Sequence, residues 1–235
     1  AVASLLKETR FYLTIHDIHS MFASKPSLHL RKQIHHIGKK WLIRSVSAYV
    51  MLSRNACNHL RSIAFPGKPV NYLPAALFEE KNSGKDFDPS LSTINIAVPG
   101  TVDPRRRDYR QVLELARSIN EKKLPIAITI CGGMNKRDHP DLCNELLHAT
   151  DQYPFLHLFD QPFVTVSDLE KTLRNAHFIW LPSKVQFKDK MGEEETYGIS
   201  KNSGVVNDAI CYGKPMILPQ GFCIEEGQEP SVLRY

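Results

Sequence analysis

The chain has 235 residues, of which 42% are hydrophobic and 23% are charged. This balance is typical of a soluble globular protein and excludes disordered and fibrous chains. No apolar run reaches about 18 residues, so we expect no membrane-spanning helix. The formal net charge of +5 is a mild excess that suits phosphate-bearing ligands or an anionic membrane surface, and it does not by itself indicate nucleic acid.

The N-terminus lacks the charged start and apolar core of a secretory signal. The five cysteines form no Cys-x-x-Cys pair, which favours reduced, mostly buried thiols in the cytoplasm. Because the chain begins without Met inside what reads as a folded region, we expect further chain upstream, and further helices beyond Tyr235.

Strands and helices alternate through residues 1–77, which indicates βα units and a parallel sheet. The predicted strands are 11–15, 48–52 and 70–73, and the predicted helices are 27–44 and 55–63. A doubly wound half has five or six strands, so we expect this Rossmann-like domain to be incomplete.

Residues 78–93 are polar, carry Gly and Pro, and predict a linker, with a long surface loop inside one domain as the alternative. The alternation then resumes, and 94–235 is predicted to be a second domain. Its predicted strands are 94–98, 125–130, 155–159, 177–181 and 215–218, its helices are 104–120, 138–149, 166–175 and 203–212, and 183–200 is a polar loop. The fold class is therefore α/β, with two Rossmann-like doubly wound parallel sheets.

Helix 27–44 is basic on one side and apolar on the other. Leu30, Ile34, Ile37 and Trp41 share one face at about 100° per residue. The helix also carries Arg31, Lys32, Lys39, Lys40 and Arg44. Two interpretations stay open: a core helix with a solvated basic side, or a helix that lies on an anionic membrane surface.

Two segments predict a phosphate site at the carboxyl end of the second sheet. Gly100 follows the strand 94–98 and lets the backbone approach a ligand. Arg105, Arg106 and Arg107 then stand in the predicted first turn of a helix, where cations oppose the helix dipole unless an anion lies nearby. A solvated arginine run is the alternative.

The second segment is Ser203-Gly204, which opens directly onto the predicted helix 203–212. Free N–H groups at a helix start bind anions, and Lys201 adds a charge. A serine cap alone would look similar. Neither the P-loop pattern nor the G-x-G-x-x-G fingerprint is present.

In the first domain, His16 and Asp17 follow the predicted strand 11–15. Adjacent residues of an extended strand point to opposite sides, so both side chains can face a ligand only if the strand has ended before them. A histidine beside an aspartate can act as a general base toward an acceptor hydroxyl, and a structural histidine is the alternative.

Residues 94–221 resemble the donor-binding domain of GT-B glycosyltransferases, which use nucleotide sugars. Residues 100–106 are similar to G-R-L-D-P-x-K, and 208–215 are similar to E-A-M-A-x-G-x-P. The other similar segments are the glycine turn 132–133, the strand end 181–183 and the E-G-F-G-like stretch 195–198. Residues 1–75 are similar only in their general alternation of strands and helices, to the latter part of the acceptor-binding Rossmann-like domain of these enzymes.

The resemblance implies a hexosyltransferase that moves a sugar from a nucleotide-diphosphate sugar to an acceptor hydroxyl, with no metal and no cofactor besides the donor. The acceptor would be a glycan, a lipid-linked molecule or a protein, and nucleic acid is not expected. Asp208 would hydrogen-bond ribose hydroxyls. The predicted donor-binding residues are Gly100, Thr101, Arg106, Glu195, Lys201, Ser203, Gly204 and Asp208.

Two departures keep alternatives open. Thr101 stands where the family has a phosphate-binding Arg, and twelve residues rather than seven separate Glu195 from Asp208. The alternatives are a non-catalytic partner or activator subunit with this fold, and a nucleotide-sugar epimerase. We expect a cytoplasmic protein, and contact with the inner membrane face through helix 27–44 is the second of the two interpretations given for that helix. The nucleotide, sugar, acceptor, stereochemistry and oligomeric state are left open.

Overall fold

The computed structural model describes residues 9–22, 30–63, 67–78, 93–189 and 192–235. The chain divides into two compact units. The first comprises residues 1–75, 186–203 and 223–226, and the second comprises 76–185, 204–222 and 227–235. Two late segments thus group with the first unit, which differs from the single boundary expected from the sequence. The predicted linker lies almost entirely outside the described residues.

Eleven strands and seven α-helices are found in the described ranges. The strands are β1 (Tyr12–Ile15), β2 (Ala48–Met51), β3 (Val70–Tyr72), β4 (Ile94–Pro99), β5 (Ile126–Cys131), β6 (Leu156–Leu158), β7 (Phe178–Trp180), β8 (Gln186–Lys188), β9 (Glu194–Thr196), β10 (Met216–Leu218) and β11 (Val232–Arg234). The helices are α1 (Ile18–Phe22), α2 (Leu30–Ser45), α3 (Arg54–Ser62), α4 (Tyr109–Lys122), α5 (Pro140–Gln152), α6 (Val166–Asn175) and α7 (Gly204–Tyr212). A 3-10 helix spans Glu226–Ser231.

The first unit is built on a three-stranded parallel sheet in the order β1-β2-β3. Its core gathers Ile15, Ile18, Tyr49 and Leu60, all buried. The hydroxyl of the fully buried Tyr49 donates to the carbonyl of Ile43 at 3.0 Å, which satisfies the one polar atom of that ring. The three predicted strands of this part are confirmed.

The second unit is built on a six-stranded parallel sheet in the order β11-β10-β7-β4-β5-β6. This is the strand order of a dinucleotide-binding fold, in which right-handed crossovers place helices on both faces. The inward residues of β4 and β5, among them Val98, Ile128 and Ile130, pack against Val112 of α4 and Leu146 of α5. The predicted α/β class with parallel sheets is confirmed, and β11 is a sixth strand that the sequence did not predict.

The predicted start of helix 104–120 is wrong. Residues 104–106 form a turn, and α4 begins at Tyr109, where the Asp108 carboxylate accepts from the N–H of Arg110 at 3.2 Å. The carboxylate of Asp103 accepts a hydrogen bond from the backbone N–H of Arg105 at 3.0 Å. Such bonds between a side chain and the nearby backbone compete with helix formation. The three arginines therefore lie before the helix and not on its first turn.

Helix α6 is capped by Thr165, whose Oγ1 accepts from the N–H of Asp168 at 3.1 Å. One smaller expectation is also corrected. The predicted loop 183–200 contains the antiparallel hairpin β8–β9. Each of its strands has three residues and buries only one, which is too short for an alternating pattern to be recognised.

Within the described ranges, the helices are all too short or too polar to pass through a lipid bilayer.

Candidate functional site

The second unit has its topological switch point between β4 and β7, where ligands bind in folds of this kind. The turn after β4 and the segment after β7 are hydrogen-bonded to each other. Asp108 N–H donates to the carbonyl of Pro182 at 2.8 Å, and Lys184 N–H donates to that of Arg106 at 2.9 Å. The Lys184 ammonium also reaches the carbonyl of Pro104 at 2.8 Å. The turn is therefore held in place at this edge of the sheet.

The arginine turn carries more positive than negative charge. Asp103 is buried, and its carboxylate accepts from Arg105 Nη2 at 2.8 Å and from Arg106 Nε at 3.2 Å. Burial alone would raise the pKa of Asp103, but hydrogen bonds from Arg105 and the charges of Arg105 and Arg106 lower it to about 2. One carboxylate thus faces two guanidiniums, and both arginine side chains remain partly exposed.

Arg107 differs from its neighbours because it is buried. Its Nη1 donates to the carbonyl of Pro99. The guanidinium lies against Gly100, whose φ is +89°, so a side chain at position 100 would overlap it. Burial raises the pKa of Tyr109, and the charge of the same guanidinium opposes this rise. Arg107 therefore supports the strand end from within.

Two glycines bring three backbone segments together at this edge. A Cβ at Gly132 would overlap the carbonyl oxygen of Gly100, and a Cβ at Gly133 would overlap that of Pro162. The glycine turn after β5 thus allows a backbone approach that no other residue permits. The segment 132–133, identified in the sequence by resemblance alone, has this physical role.

Asp208 of α7 belongs to the same cluster. Burial raises the pKa of Asp208 to about 6, and the charge of Arg107 opposes this rise. Burial also raises the pKa of the Cys131 thiol to about 12, with the carboxylate of Asp208 contributing. Cys131 is therefore a protonated structural thiol at neutral pH, whereas Asp208 titrates close to physiological pH.

We expect the Asp208→Asn substitution to remove a pH dependence of stability. Because the folded pKa of Asp208 lies above its unfolded value, its stabilising contribution is complete below about pH 4 and is lost as the pH rises through about 6. The loss amounts to about 1–3 kcal/mol. Urea unfolding at several pH values between 4.5 and 7.5 measures it as the difference between wild type and variant.

The exposed Asp151 of α5 offers a control, since Asp151→Asn should leave the pH profile of unfolding unchanged. Equal slopes for wild type and Asp208→Asn between pH 4.5 and 6.5 would contradict the assignment.

In the first unit, residues of the 186–203 segment hold the chain that follows β1. Ile18 N–H donates to the carbonyl of Ser200 at 2.8 Å, and Lys201 forms an ion pair with Asp17. His16 is exposed and lies just beyond the end of β1. The carboxylate of Asp17 is thus paired with an ammonium, while the imidazole of His16 faces solvent.

Glu195 anchors α1 from the hairpin. Its side chain is fully buried, and its Oε1 accepts from Ser20 N–H at 2.8 Å. His19 Nδ1 lies 3.9 Å from the other carboxylate oxygen and 2.6 Å from the carbonyl of Glu194. The Nε2 atoms of His19 and His59 are 2.9 Å apart, so one of them donates and the other accepts. Burial raises the pKa of Glu195, and hydrogen bonds to its charged form oppose the rise.

We expect Glu195→Ala to lower the free energy of unfolding by about 1–3 kcal/mol, because it leaves the N–H of Ser20 without an acceptor. Glu195→Gln keeps an acceptor oxygen and should lose much less. Hydrogen exchange at residues 17–22, measured together with chemical unfolding, should show faster exchange in the alanine variant only. Equal exchange in both variants would show that Glu195 does not hold α1.

The predicted site residues therefore divide between the two units. The structure adds two residues for which the sequence predicted no such role. Arg107 supports the strand end in the second unit, and His19 contacts the Glu194–Glu195 segment in the first unit. The second unit contains Gly100, Thr101, Arg106, Gly204 and Asp208, and the first contains His16, Asp17, Glu195, Lys201 and Ser203. In the described ranges, no group of three or more His, Cys, Asp or Glu side chains is arranged to hold a metal ion.

No protein-family model matches this sequence, and no curated protein matches it. Solved structures do match. TarM superposes with a TM-score of 0.58 at 13% identity, over 97% of this chain and 41% of TarM. WaaG, a glycosyltransferase involved in lipopolysaccharide biosynthesis, gives 0.58 at 14% identity, over 99% of this chain and 67% of WaaG. A UDP-forming α,α-trehalose-phosphate synthase from Burkholderia vietnamiensis gives 0.57 at 7% identity, over 94% and 55%.

These structures are GT-B glycosyltransferases, so the fold expected from the sequence resemblance is confirmed. At such identities the likeness concerns the fold alone. The chain spans 41% of TarM and 55% of the synthase, roughly half the length of the proteins that it resembles.

Proposed function

We propose that the protein is a glycosyltransferase of the hexosyltransferase class. It moves a sugar from a nucleotide-diphosphate sugar to an acceptor hydroxyl and needs no metal. The observation that carries this proposal is the cluster at the carboxyl end of the six-stranded sheet, where a glycine-lined strand end, an arginine turn and a carboxylate of perturbed pKa come together. Perturbed carboxylates at such edges mark functional sites.

The arginine turn supplies the charge that a diphosphate needs. Asp103 neutralises one of its two arginine partners, so the turn keeps a net positive charge. We assign the diphosphate contact to Arg106, because arginine binds phosphate oxygens through two parallel N–H groups. The backbone at Gly100 and Thr101 and the start of α7 at Gly204 would add N–H donors.

Asp208 would bind the nucleoside. A carboxylate accepts hydrogen bonds from both hydroxyls of a ribose, and binding is strongest when the group is ionised. With a pKa of about 6, Asp208 is mostly ionised at pH 7. Donor affinity should therefore fall as the pH is lowered below about 6.

In the first unit, His16 would act as the general base toward the acceptor hydroxyl. Its exposure leaves it accessible to a substrate. Asp17 would act with Lys201 to fix the segment that carries His16, since their ion pair holds this chain. Because Asp17 already matches the charge of Lys201, we expect Lys201 to contribute less than Arg106 to donor binding. Glu195 and Ser203 belong to the first unit, where the fully buried Glu195 side chain holds α1, so no donor contact is assigned to them.

Departure of the diphosphate concentrates negative charge on its oxygens while the sugar becomes oxocarbenium-like. Fixed cations and N–H groups stabilise this charge without reorganisation. The arginine turn and the start of α7 would stabilise the leaving diphosphate, as a metal ion does in other enzymes.

Activity of the full-length protein should therefore survive EDTA. The sequence contains one Asp-x-Asp pair, Asp86 and Asp88, outside the described residues, and loss of activity in EDTA would contradict metal independence.

The cellular setting belongs to the same proposal. Cys57, Cys131 and Cys143 are buried and form no disulfide bond, which suits a reducing cytoplasm. The partners would be a nucleotide sugar and a glycan, a lipid-linked molecule or a protein that offers the acceptor hydroxyl.

We expect Arg106→Ala to raise the dissociation constant of the donor and to lower kcat. Losing one charge-assisted contact to the diphosphate costs about 1.5–3 kcal/mol, or roughly 10- to 150-fold. A thermal-shift screen with UDP-, GDP- and ADP-sugars first identifies the donor for the full-length protein. Titration calorimetry and initial rates then compare the variants.

Arg110→Ala is the matched control, because Arg110 lies in the same segment and is largely exposed. If Arg106→Ala binds the donor as wild type does, the diphosphate does not contact this turn. If the protein binds the donor but neither transfers its sugar nor hydrolyses it, the result would favour the non-catalytic partner. That alternative is kept because Thr101 stands where the family has a phosphate-binding Arg. Conversion of the donor sugar without any acceptor would favour an epimerase.

A further inference from the structure

Helix α2 packs onto its unit with the side opposite to its apolar stripe. Ile43 is buried and Lys39 is half-buried, with the Lys39 ammonium donating to the carbonyl of Ser20 at 2.7 Å. The stripe itself points outward. Leu30, Ile34, Ile37 and Trp41 are each between 58% and 72% exposed. In the structure this stripe is thus not part of the core, and the first of the two interpretations is wrong.

The charged residues of α2 itself are all basic. The sequence of α2 contains five Lys or Arg residues and no Asp or Glu. Lys40 and Arg44 are exposed, and at about 100° per residue they lie beside the stripe. An apolar face of Trp, Leu and Ile bordered by lysine and arginine is the composition of helices that lie in the headgroup region of a bilayer.

We propose that α2 docks on an anionic lipid surface, with Ile34, Ile37 and Trp41 in the acyl boundary and Lys40 and Arg44 on the headgroups. A second copy of the chain fits this face poorly, because two helices without a single acid would bring like charges together. Anionic headgroups supply the opposite charge, and the acyl region covers the apolar side chains. This contact does not depend on the reaction that the protein catalyses.

Tryptophan fluorescence offers a direct test, because the two tryptophans of the sequence differ in environment. Trp41 is 58% exposed and Trp180 only 4% exposed. Vesicles of phosphatidylglycerol and phosphatidylcholine should shift the emission of the full-length protein to shorter wavelength and protect it from iodide quenching. The shift should be absent with pure phosphatidylcholine, and absent in Trp41→Phe, which keeps Trp180.

Variants separate the two contributions to binding. Lys40→Gln and Arg44→Gln should each weaken sedimentation with the anionic vesicles roughly fivefold. Ile34→Ser with Ile37→Ser should abolish it while leaving circular dichroism and melting unchanged, because these side chains are exposed. Arg117→Gln with Lys122→Gln, two exposed cations of α4, is the charge-matched control and should bind as wild type does.

Three results would overturn the proposal. One is equal binding to anionic and neutral vesicles. Another is equal loss of binding in the α4 control. The third is a Trp41 that iodide cannot reach in the full-length protein without vesicles, because a segment of protein would then cover this face instead.

Discussion

Replacing Gly132 with Ala is expected to lower the melting temperature of the protein by about 10–15 °C, which corresponds to about 3–5 kcal/mol for a chain of this size. A Cβ at this position overlaps the carbonyl oxygen and carbon of Gly100, and the backbone N of Thr101 lies close by. No rotamer change relieves a clash between two backbones, so β4 and β5 must separate at their carboxyl ends. Differential scanning calorimetry measures the shift.

Gly204→Ala is the matched control at the same end of the sheet. A Cβ at Gly204 has no neighbour within 4 Å, and this residue opens α7. The control should melt within a few degrees of wild type, on the stable side if alanine improves the first turn. Melting of Gly132→Ala at the wild-type temperature would show that the two strand ends do not approach each other.

The strands of the large sheet could be predicted because their burial makes them continuous apolar runs. β4 and β5 carry such runs, and the strong period of α4 and α5 between and after them left one reasonable arrangement. The local pattern therefore predicts the strands and their parallel direction, whereas the order of the six strands and their register come from the structure.

Contacts between distant segments could not be predicted in the same way. Ser20 and Glu195 lie 175 residues apart in the sequence, and their hydrogen bond joins α1 to the 186–203 segment within the first unit. A buried glutamate in a three-residue strand has no periodic signature. The resemblance singled out Glu195 as a ligand, and only the structure shows that its Oε1 accepts from the backbone of α1.

The sequence predicts the apolar stripe of α2 but does not predict whether the stripe faces the core or the solvent. A period of 3.6 residues shows that four apolar side chains share a face, and it is silent on what covers that face. In the structure the side of the helix opposite to the stripe packs inward. Ile43 is buried on that side, and Lys39 forms its hydrogen bond there. Pattern alone therefore left the choice between core and surface open.

The second large effect is expected for Arg107→Met, which should lower the free energy of unfolding by about 2–4 kcal/mol. The guanidinium is buried and donates to the carbonyl of Pro99. Methionine fills a similar volume but leaves that carbonyl without a donor and removes a positive charge from the buried cluster. Urea unfolding at pH 7 measures the loss, and Arg105→Met, with a side chain that is 45% exposed, is the control.

The same substitution should change the titration of Asp208. Burial already raises the pKa of this carboxyl, and the charge of Arg107 is what opposes the rise. Without Arg107 the pKa of Asp208 should move further up, so that a larger fraction of the carboxyl is protonated at pH 7 than in the wild type. Carbon-detected NMR of the aspartate carboxyl follows this directly, and donor affinity at pH 7 should fall with the ionised fraction.

A double-mutant cycle decides whether Arg107 acts on Asp208 or only on the strand end. If the two groups interact, Arg107→Met should cost a different amount in the Asp208→Asn background, where no carboxylate depends on its charge. We expect a smaller cost there, because the unpaired carbonyl of Pro99 is then the main loss. An equal cost in both backgrounds would mean that Arg107 supports β4 alone, and the raised pKa of Asp208 would then be due to burial without opposition.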